Sequence, residues 1–490
     1  MHPAPAVTRT HAPIPRLLFP QVQSFPLPHP DVFTLYARLA VPGEPSFLLE
    51  SGKGPTNIAR YSFLGTAPYR VLSGKQASYT IRTPETCVHH QGDPFQALVA
   101  LVGPPLIPPS PLLPPFLGGA VGLLSYDLVR HFESLPVQAA DDLALPDLAM
   151  LFVELLAAVD HQMDRLHLIF TPAPERLLAE SHDALWREGE ERIAALAARL
   201  FEPSEPARLQ LAVPHVLHPG QTPTAYMDRV RECQAFIAAG DIYQANLSHR
   251  FTIEWDGARE SASAQSLYGR LRSVNPAPFA ALLDFGDFAL VSSSPERLVC
   301  VRDGRVEARP IAGTRPRGRT PSENAWLQAN LLADSKERAE HLMLVDLARN
   351  DTGRVCAYGS VKVEEFMVVE HYSHVMHLVS NVIGTLRDSF TWADVIRAVF
   401  PGGTITGVPK IRCMEIIEQL EPVRRGPYTG SIGYVSWTGE MDLNIVIRTL
   451  VMAHGRGYLQ VGAGIVADSD PLREYEETLH KAQALLTALC

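Results

Sequence analysis

The chain has 490 residues, 46% of them hydrophobic and 20% charged, with a formal net charge of −10. That composition belongs to a globular protein with an extensive core, and its acidic balance excludes a general nucleic-acid binder, so an anionic substrate would need locally gathered cations. No apolar run approaches the roughly 20 residues that cross a bilayer. The six cysteines (87, 233, 300, 356, 413 and 490) show neither CxxC nor metal-ligand spacing, and no charged-then-apolar leader opens the chain, which leads us to expect a reducing, cytoplasmic setting.

Residues 1–30 are Pro-rich without periodicity and are expected to form an extended lead-in. β-like runs follow at SFLLES (46–51), RYSFLG (60–65) and YRVLSG (69–74). A second Pro-rich stretch, GPPLIPPSPLLPPF (103–116), reads as a rigid connector before the Gly-rich strand LGGAVGLLSYD (117–127). A helical pattern at 181–201 leads into the loose segment 202–222, expected to part an N-terminal region, 31–205, from a catalytic region, 220–490. In the latter, strands are predicted at 248–254, 279–284, 288–293, 297–301, 305–311, 430–437, 442–449 and 457–465. Helices are predicted at 223–239, 263–272, 323–350, 392–399, 409–419 and 471–488. Short turns at DFGDF (284–288) and RDGR (302–305) favour antiparallel pairing, hence an α+β fold of layered antiparallel sheets rather than a doubly wound parallel one.

Two glutamate couples, Glu337 with Glu340 and Glu474 with Glu477, are spaced i, i+3, so each helix carries both carboxylates on one face. Such a pair is most often a solvated helix face. Here KERAEHLMLVDLARND (336–351) has little polar face, and buried glutamates call for a partner or a metal. The second couple opens a helix behind Asp470 and Pro471, just after VGAGIVADS (461–469), whose glycines let backbone N–H groups approach an anion. Four carboxylates converging on one cleft would suit Mg²⁺ holding an anionic organic substrate.

Nine motifs then occur in one order: SSSPERLV (292–299), PIAGTRPRG (310–318), the 336–351 segment, GSVKV (359–363), YSHVMHLVS (372–380), FPGGTITGVPKIRCMEII (400–417), GPYTGSIGY (426–434), NIVIRT (444–449) and GAGIVADS (462–469). In these the chain resembles the chorismate-utilising enzymes, and among them the large subunits of the aminating branch, the component I enzymes of aminodeoxychorismate and anthranilate synthesis. The resemblance covers roughly residues 220–490, with an echo in LLES (48–51) and RYSFLG. It implies that Glu340 and Glu477 ligate Mg²⁺, that Glu337 and Glu474 support them through water, and that the metal grips the ring carboxylate of chorismate. It implies that Tyr428, Arg448 and the backbone of Gly462, Ala463 and Gly464 bind the enolpyruvyl side chain. A guanidinium suits that carboxylate because it offers two parallel charged hydrogen bonds. Gly313, Thr314 and Thr404 are implied as ring contacts, Lys410 as a further substrate contact, and His377 as the group that helps the C4 hydroxyl depart, with His374 as its non-catalytic neighbour.

Two departures narrow the branch. Water-adding members resemble this chain except for a lysine where GDIYQANL (240–247) has Gln244, and a glutamate where it has Arg309. A neutral amide is a poor base for water, so amination by ammonia is expected. Amination at C4 or at C2 remains open: some C4 enzymes carry PIKGT with a nucleophilic lysine, where this chain has Ala312, whereas FPGGTITG, YTGSIG, NIVIRT and NPAPFAALL (275–283) resemble the C4 branch, which is preferred. LLES with Ser51, together with Pro276, Ala277 and Pro278, resembles a tryptophan-binding element. No GxCxG nucleophile loop of a glutaminase occurs, so ammonia is expected from a separate glutamine amidotransferase subunit.

Overall fold

The computed structural model of the chain describes residues 19–41, 43–51, 58–202, 216–254, 260–371 and 375–489. The strand Phe279–Asp284 shows why the chain layers as it does: past Phe279 every residue of FAALLD is buried. Successive side chains of a strand point to opposite faces. Ala281 and Leu283 enter a core shared with strands of a second sheet, while Ala280 and Leu282 enter one shared with helices. A strand apolar on both faces needs two covering layers.

Among the described residues there are two antiparallel sheets of twelve strands each. The first runs 21–26, 165–170, 155–160, 61–66, 46–50, 279–284, 288–294, 449–453, 456–465, 244–254 and 216–219, with Gly407–Val408 beside 244–254. The second runs 311–316, 375–385, 305–308, 297–302, 441–444, 431–436, 119–124, 148–153, 70–75, 78–82 and 87–91, with 362–371 also on 375–385. The helices Val32–Leu39, His182–Phe201, Glu260–Val274 and Pro471–Leu489 cover the outer face of the first sheet. This is the expected α+β fold of layered antiparallel sheets. Both sheets draw strands from before residue 203 and after residue 215.

Several elements differ from the sequence reading. Within the lead-in, Gln21–Pro26 is an edge strand paired with Arg165–Phe170, and residues 1–18 lie outside the described set. The Pro-rich stretch 103–116 is clamped to the second sheet by Leu106 N donating to Trp437 O (3.2 Å) and by buried Ile107 and Phe116. The single helix expected at 323–350 is two, Pro321–Ala333 and Ser335–Gly353. Asp334 stands between them in extended backbone and caps the second by accepting from Lys336 N and Glu337 N. The strand expected at 305–311 breaks at Arg309 and Pro310. The one expected at 442–449 also divides: Met441–Asn444 lies in the second sheet and Thr449–Ala453 in the first, with Arg448 at φ 51° in the crossing. The hairpin Lys362–His371 and Val375–Thr385 was not among the predicted strands.

Candidate active site

The break at Asp334 sets the angle of the helix that carries the first acidic couple. Arg315 ties Asp334 (2.7 Å) and Glu337 (2.9 Å) to the strand Ile311–Pro316. Gly313, at φ 73°, has no side chain, and a Cβ there would stand 3.0 Å from Glu337 Oε2. Lys336 reaches both Glu340 (3.9 Å) and Asp468 (3.6 Å), bringing this helix to the start of Pro471–Leu489. There Glu474 accepts from Ser469 Oγ (2.7 Å), and Glu477 pairs with Lys481 (2.8 Å), whose ammonium also donates to Gly462 O (2.9 Å). Burial raises the Glu340 carboxyl above the usual range, and the charges of Glu337, Asp468 and Glu474 add to it against Lys336. Glu474 is raised likewise, by burial and then by Glu477, against the Ser469 hydrogen bond. Glu340 therefore feels Glu474 across the gap between the two helices, while Glu477 is half exposed.

An all-oxygen set whose members repel one another is chemically suited to Mg²⁺. Among the described residues no three such side chains stand close enough to chelate an ion by themselves.

The strand Arg456–Ile465 forms the adjoining wall. It pairs with Gln244–Glu254 so that Gly462, Ala463 and Gly464 lie opposite Ser248, Leu247 and Asn246. A Cβ on Gly462 would meet Asn246 Oδ1 at 2.7 Å and the Tyr428 hydroxyl at 2.8 Å, and one on Gly464 would meet Gln244 Nε2 at 2.6 Å. The glycines thus bring Gln244, Asn246 and Tyr428 against bare backbone. Gln244 Oε1 and Asn246 Oδ1 are buried without a hydrogen-bond partner among the described residues, so this wall offers acceptors to a ligand.

On the opposite side, Thr314 Oγ1 and His377 Nδ1 are 3.0 Å apart across paired strands. Burial, with the Arg448 charge, lowers the His377 pKa to about 4, so the ring is neutral at physiological pH. Thr404 Oγ1 donates to Glu296 Oε1 (2.9 Å). Glu296 follows the strand Phe288–Ser294, and burial pushes its carboxyl up to about 7 against the Thr404 hydrogen bond and the charges of Arg448 and Lys481. Glu296 and Lys481 were not singled out from the sequence, although Glu296 sits inside SSSPERLV. The Lys410 ammonium is held by Asp351 (2.6 Å) and Val399 O (2.9 Å), residues that line one cavity with Glu296 and Thr404.

A separate cavity lies between the sheets, lined by Ser51, Arg60, Pro278, Arg302, Tyr434 and Asp442 among others. Ser51 Oγ donates to Tyr61 O (2.7 Å). Of the tryptophan-element residues it gathers Ser51 and Pro278, while Ala277 is buried and, like Pro276, does not line it. His374 lies outside the described residues.

The chain is similar to known proteins over most of its length. A match to the chorismate binding enzyme family runs over residues 44–487. Anthranilate synthase component 1 of Thermus thermophilus is 45% identical over 468 residues, 93% of this chain and 94% of that one. Aminodeoxychorismate synthase component 1 of Bacillus subtilis is 40% identical over 474 residues, 96% and 97% of the two. The crystal structure of anthranilate synthase component I from Streptococcus pneumoniae superposes with a TM-score of 0.76 at 34% identity, covering 87% of this chain and 92% of that one.

Proposed function

The chain belongs to the chorismate binding enzymes, and from that membership we propose that it aminates chorismate at C4, giving 4-amino-4-deoxychorismate, with Mg²⁺ as cofactor. The observation that carries the reading is Glu296, a buried acid held near neutrality within the wall that also bears Thr404 and Arg448. Loss of a ring hydroxyl needs a proton donor whose pKa lies near the working pH. Glu340 and Glu477 hold the metal, with Glu337 and Glu474 behind them, and Mg²⁺ when bound supplies positive charge for the ring carboxylate. Tyr428, Arg448 and the N–H groups of 462–464 hold the enolpyruvyl carboxylate. Glu296 gives its proton to the C4 hydroxyl, which leaves as water. The ammonia lone pair forms the C–N bond, and the surplus proton on that nitrogen returns to the Glu296 carboxylate. His377, neutral and joined to Thr314, orients the departing hydroxyl by hydrogen bonding. Gln244 cannot deprotonate water, which favours ammonia as nucleophile.

C4 is supported by the forms FPGGTITG and YTGSIG and by the likeness to the Bacillus relative. A second reading, amination at C2 with release of pyruvate, is favoured by Ala312, which has no amine to block C2, and by the likeness to the Thermus relative. Both relatives carry the name of a component 1, which supports ammonia delivery by a separate glutaminase subunit. Product identification tests the reading: protein with chorismate, ammonium and Mg²⁺, analysed by chromatography and mass spectrometry with and without an aminodeoxychorismate lyase. Aminodeoxychorismate, converted to p-aminobenzoate only with the lyase and abolished by chelation, is the expected result. Anthranilate would establish the second reading.

A further inference from the structure

Over the turns that carry its glutamates, each acidic helix buries a single residue, and in both that residue is polar. Along 335–342 it is His341 and along 471–480 it is Thr478; each directly follows the second glutamate of its couple, and each is fully buried. His341 Nε2 lies 2.7 Å from Ser380 Oγ on the strand Val375–Thr385. Thr478 Oγ1 lies 2.7 Å from His249 Nε2 on the strand Gln244–Glu254. We propose that these two histidine–hydroxyl pairs are positioning residues: they fix the rotation of the two helices and so set where the glutamates present their carboxylates to a divalent ion. The inference rests on the metal reading above.

Rotation matters because the tolerance is small. A helix is about 10–12 Å across with its side chains, so a turn of about 10° about its axis moves a carboxylate by about 1 Å. Mg²⁺ demands oxygens in near-ideal octahedral geometry at about 2.0–2.1 Å, so an error of that size decides whether a ligand reaches it. Further along the helices the buried side chains include Leu344 and Val345 in one and Ala482 and Leu485 in the other. Apolar packing of that kind has no preferred direction, whereas a hydrogen bond has one. Arg315 and Lys481 also bridge helix and strand, but each binds an oxygen of Glu337 or Glu477 and so competes with an ion for it. The histidine–hydroxyl pairs leave the carboxylates free.

The bonding of each pair points the same way. Thr478 Oγ1 donates its proton to Tyr475 O (2.6 Å), so it accepts from His249 Nε2–H, and His249 Nδ1 is left as a buried acceptor without a hydrogen-bond partner among the described residues. His341 Nδ1 is likewise buried and unpartnered among them, while Ser380 Oγ also accepts from Met367 N (2.9 Å). A buried polar atom left unpaired costs about 1–3 kcal/mol, so stability alone would not choose an imidazole at either place. Each ring makes one directed bond in return. The rings of Tyr226 and Phe251, centred 5.0 and 4.8 Å from that of His249, fix its plane. His249 lies opposite Val461, next to the glycine wall, and Ser380 lies three residues beyond His377. Each acidic helix is thereby indexed to a strand that already carries part of the site.

Direct binding of Mn²⁺ tests the proposal, with free Mn²⁺ read by electron paramagnetic resonance as the protein is titrated, with and without chorismate and with ammonium withheld so that nothing turns over. Ser380→Ala and Thr478→Val each remove one hydroxyl, and each should raise the Mn²⁺ Kd about tenfold or more, equivalent to about 1.4 kcal/mol or more. Thr478→Ser restores the hydroxyl and should restore the Kd. Val345→Ala and Leu485→Ala cut the apolar packing of the same helices; they should lower the Tm and leave the Kd within about twofold of wild type. A wild-type Kd in both hydroxyl variants would overturn the proposal, and either variant decides for its own helix if the other does not fold. Equal rises in the two packing variants would also overturn it, since affinity would then follow stability and not rotation. If the wild type binds Mn²⁺ and the hydroxyl variants match it, only the positioning role is refuted. If the wild type binds no Mn²⁺ under either condition, the metal reading has failed and this inference with it.

Discussion

At the scale of single residues, Glu296 and His377 have opposite shifts from the same cause, burial, because one is charged when it loses a proton and the other when it gains one. Near neutrality the protein therefore holds an available proton on Glu296 and none on His377. Replacing Glu296 by Gln keeps the neutral acid's shape and removes its proton, so chorismate turnover should fall by about 100-fold or more. The same variant has a signature in stability. With a carboxyl pKa raised from 4.5 to about 7 on folding, the native state retains a proton that the unfolded state releases. Wild-type stability from this group is full below about pH 4.5 and is lost as the pH rises through 7. Glu296→Gln should accordingly gain in Tm over wild type at pH 8.5 and not at pH 4.5, measured by calorimetry; a gain equal at both would refute the shift. None of this was legible in the sequence. SSSPERLV could be matched as a motif, but a carboxyl's pKa is set by what buries it, and Thr404 and Ile445 arrive from distant segments. The acidic couples were legible because i, i+3 spacing is local.

At the scale of elements, the legible parts were those with one uninterrupted period, such as the helix Pro223–Ala238 and the strand Phe279–Asp284. The failures came at breaks. Asp334 with Glu337 three residues on has the form of a capping box, a helix-start signal inside an apparently continuous helix, and the apolar, partly β-branched run FMVV (366–369) is a strand signal. The crossing at 445–448 had no local signal ahead of Arg448, since Ile445, Val446 and Ile447 are as apolar as the strands on either side. One guanidinium ties several irregular segments of the site together, alongside backbone hydrogen bonds such as Asn246 N to Thr406 O (2.9 Å). Arg425, buried, donates to Asn246 O (2.6 Å), Ile405 O (2.8 Å) and Thr429 Oγ1 (3.3 Å), joining the segments that present Gln244, Thr404 and Tyr428. Glu421 takes its Nε and Nη2 (3.0 and 2.7 Å), and the Ser248 N–H as well. Lysine keeps the charge and loses the planar fork. Arg425→Lys should therefore lower kcat/KM for chorismate about tenfold or more, as expected when positioned groups drift. Its circular dichroism should remain native; a variant with native kinetics would show that the three segments hold their places without the fork.

At the scale of the whole molecule, the site depends on sheets that neither half of the chain completes. In the first sheet, Phe279–Asp284 pairs with Ser46–Glu50, and in the second, Ser431–Ser436 pairs with Gly119–Leu124. Removing residues 1–202 would leave both 279–284 and 431–436 as bare edges and uncover Leu283, Ile432 and Tyr434, which pack with Phe47, Phe116 and Leu123 in one core. Unpaired edges with apolar faces promote association between chains. The resemblance along 220–490 would suggest a self-sufficient catalytic region, because motifs mark where chemistry is carried and not where strands find partners. Residues 216–490 expressed alone should be insoluble or lack cooperative unfolding, and co-expression with residues 19–202 should restore a soluble, cooperatively melting complex that turns over chorismate. A soluble and active 216–490 fragment would mean that the mixed sheets contribute little, and that the carboxylate helices and the glycine wall can hold their geometry on the C-terminal strands alone.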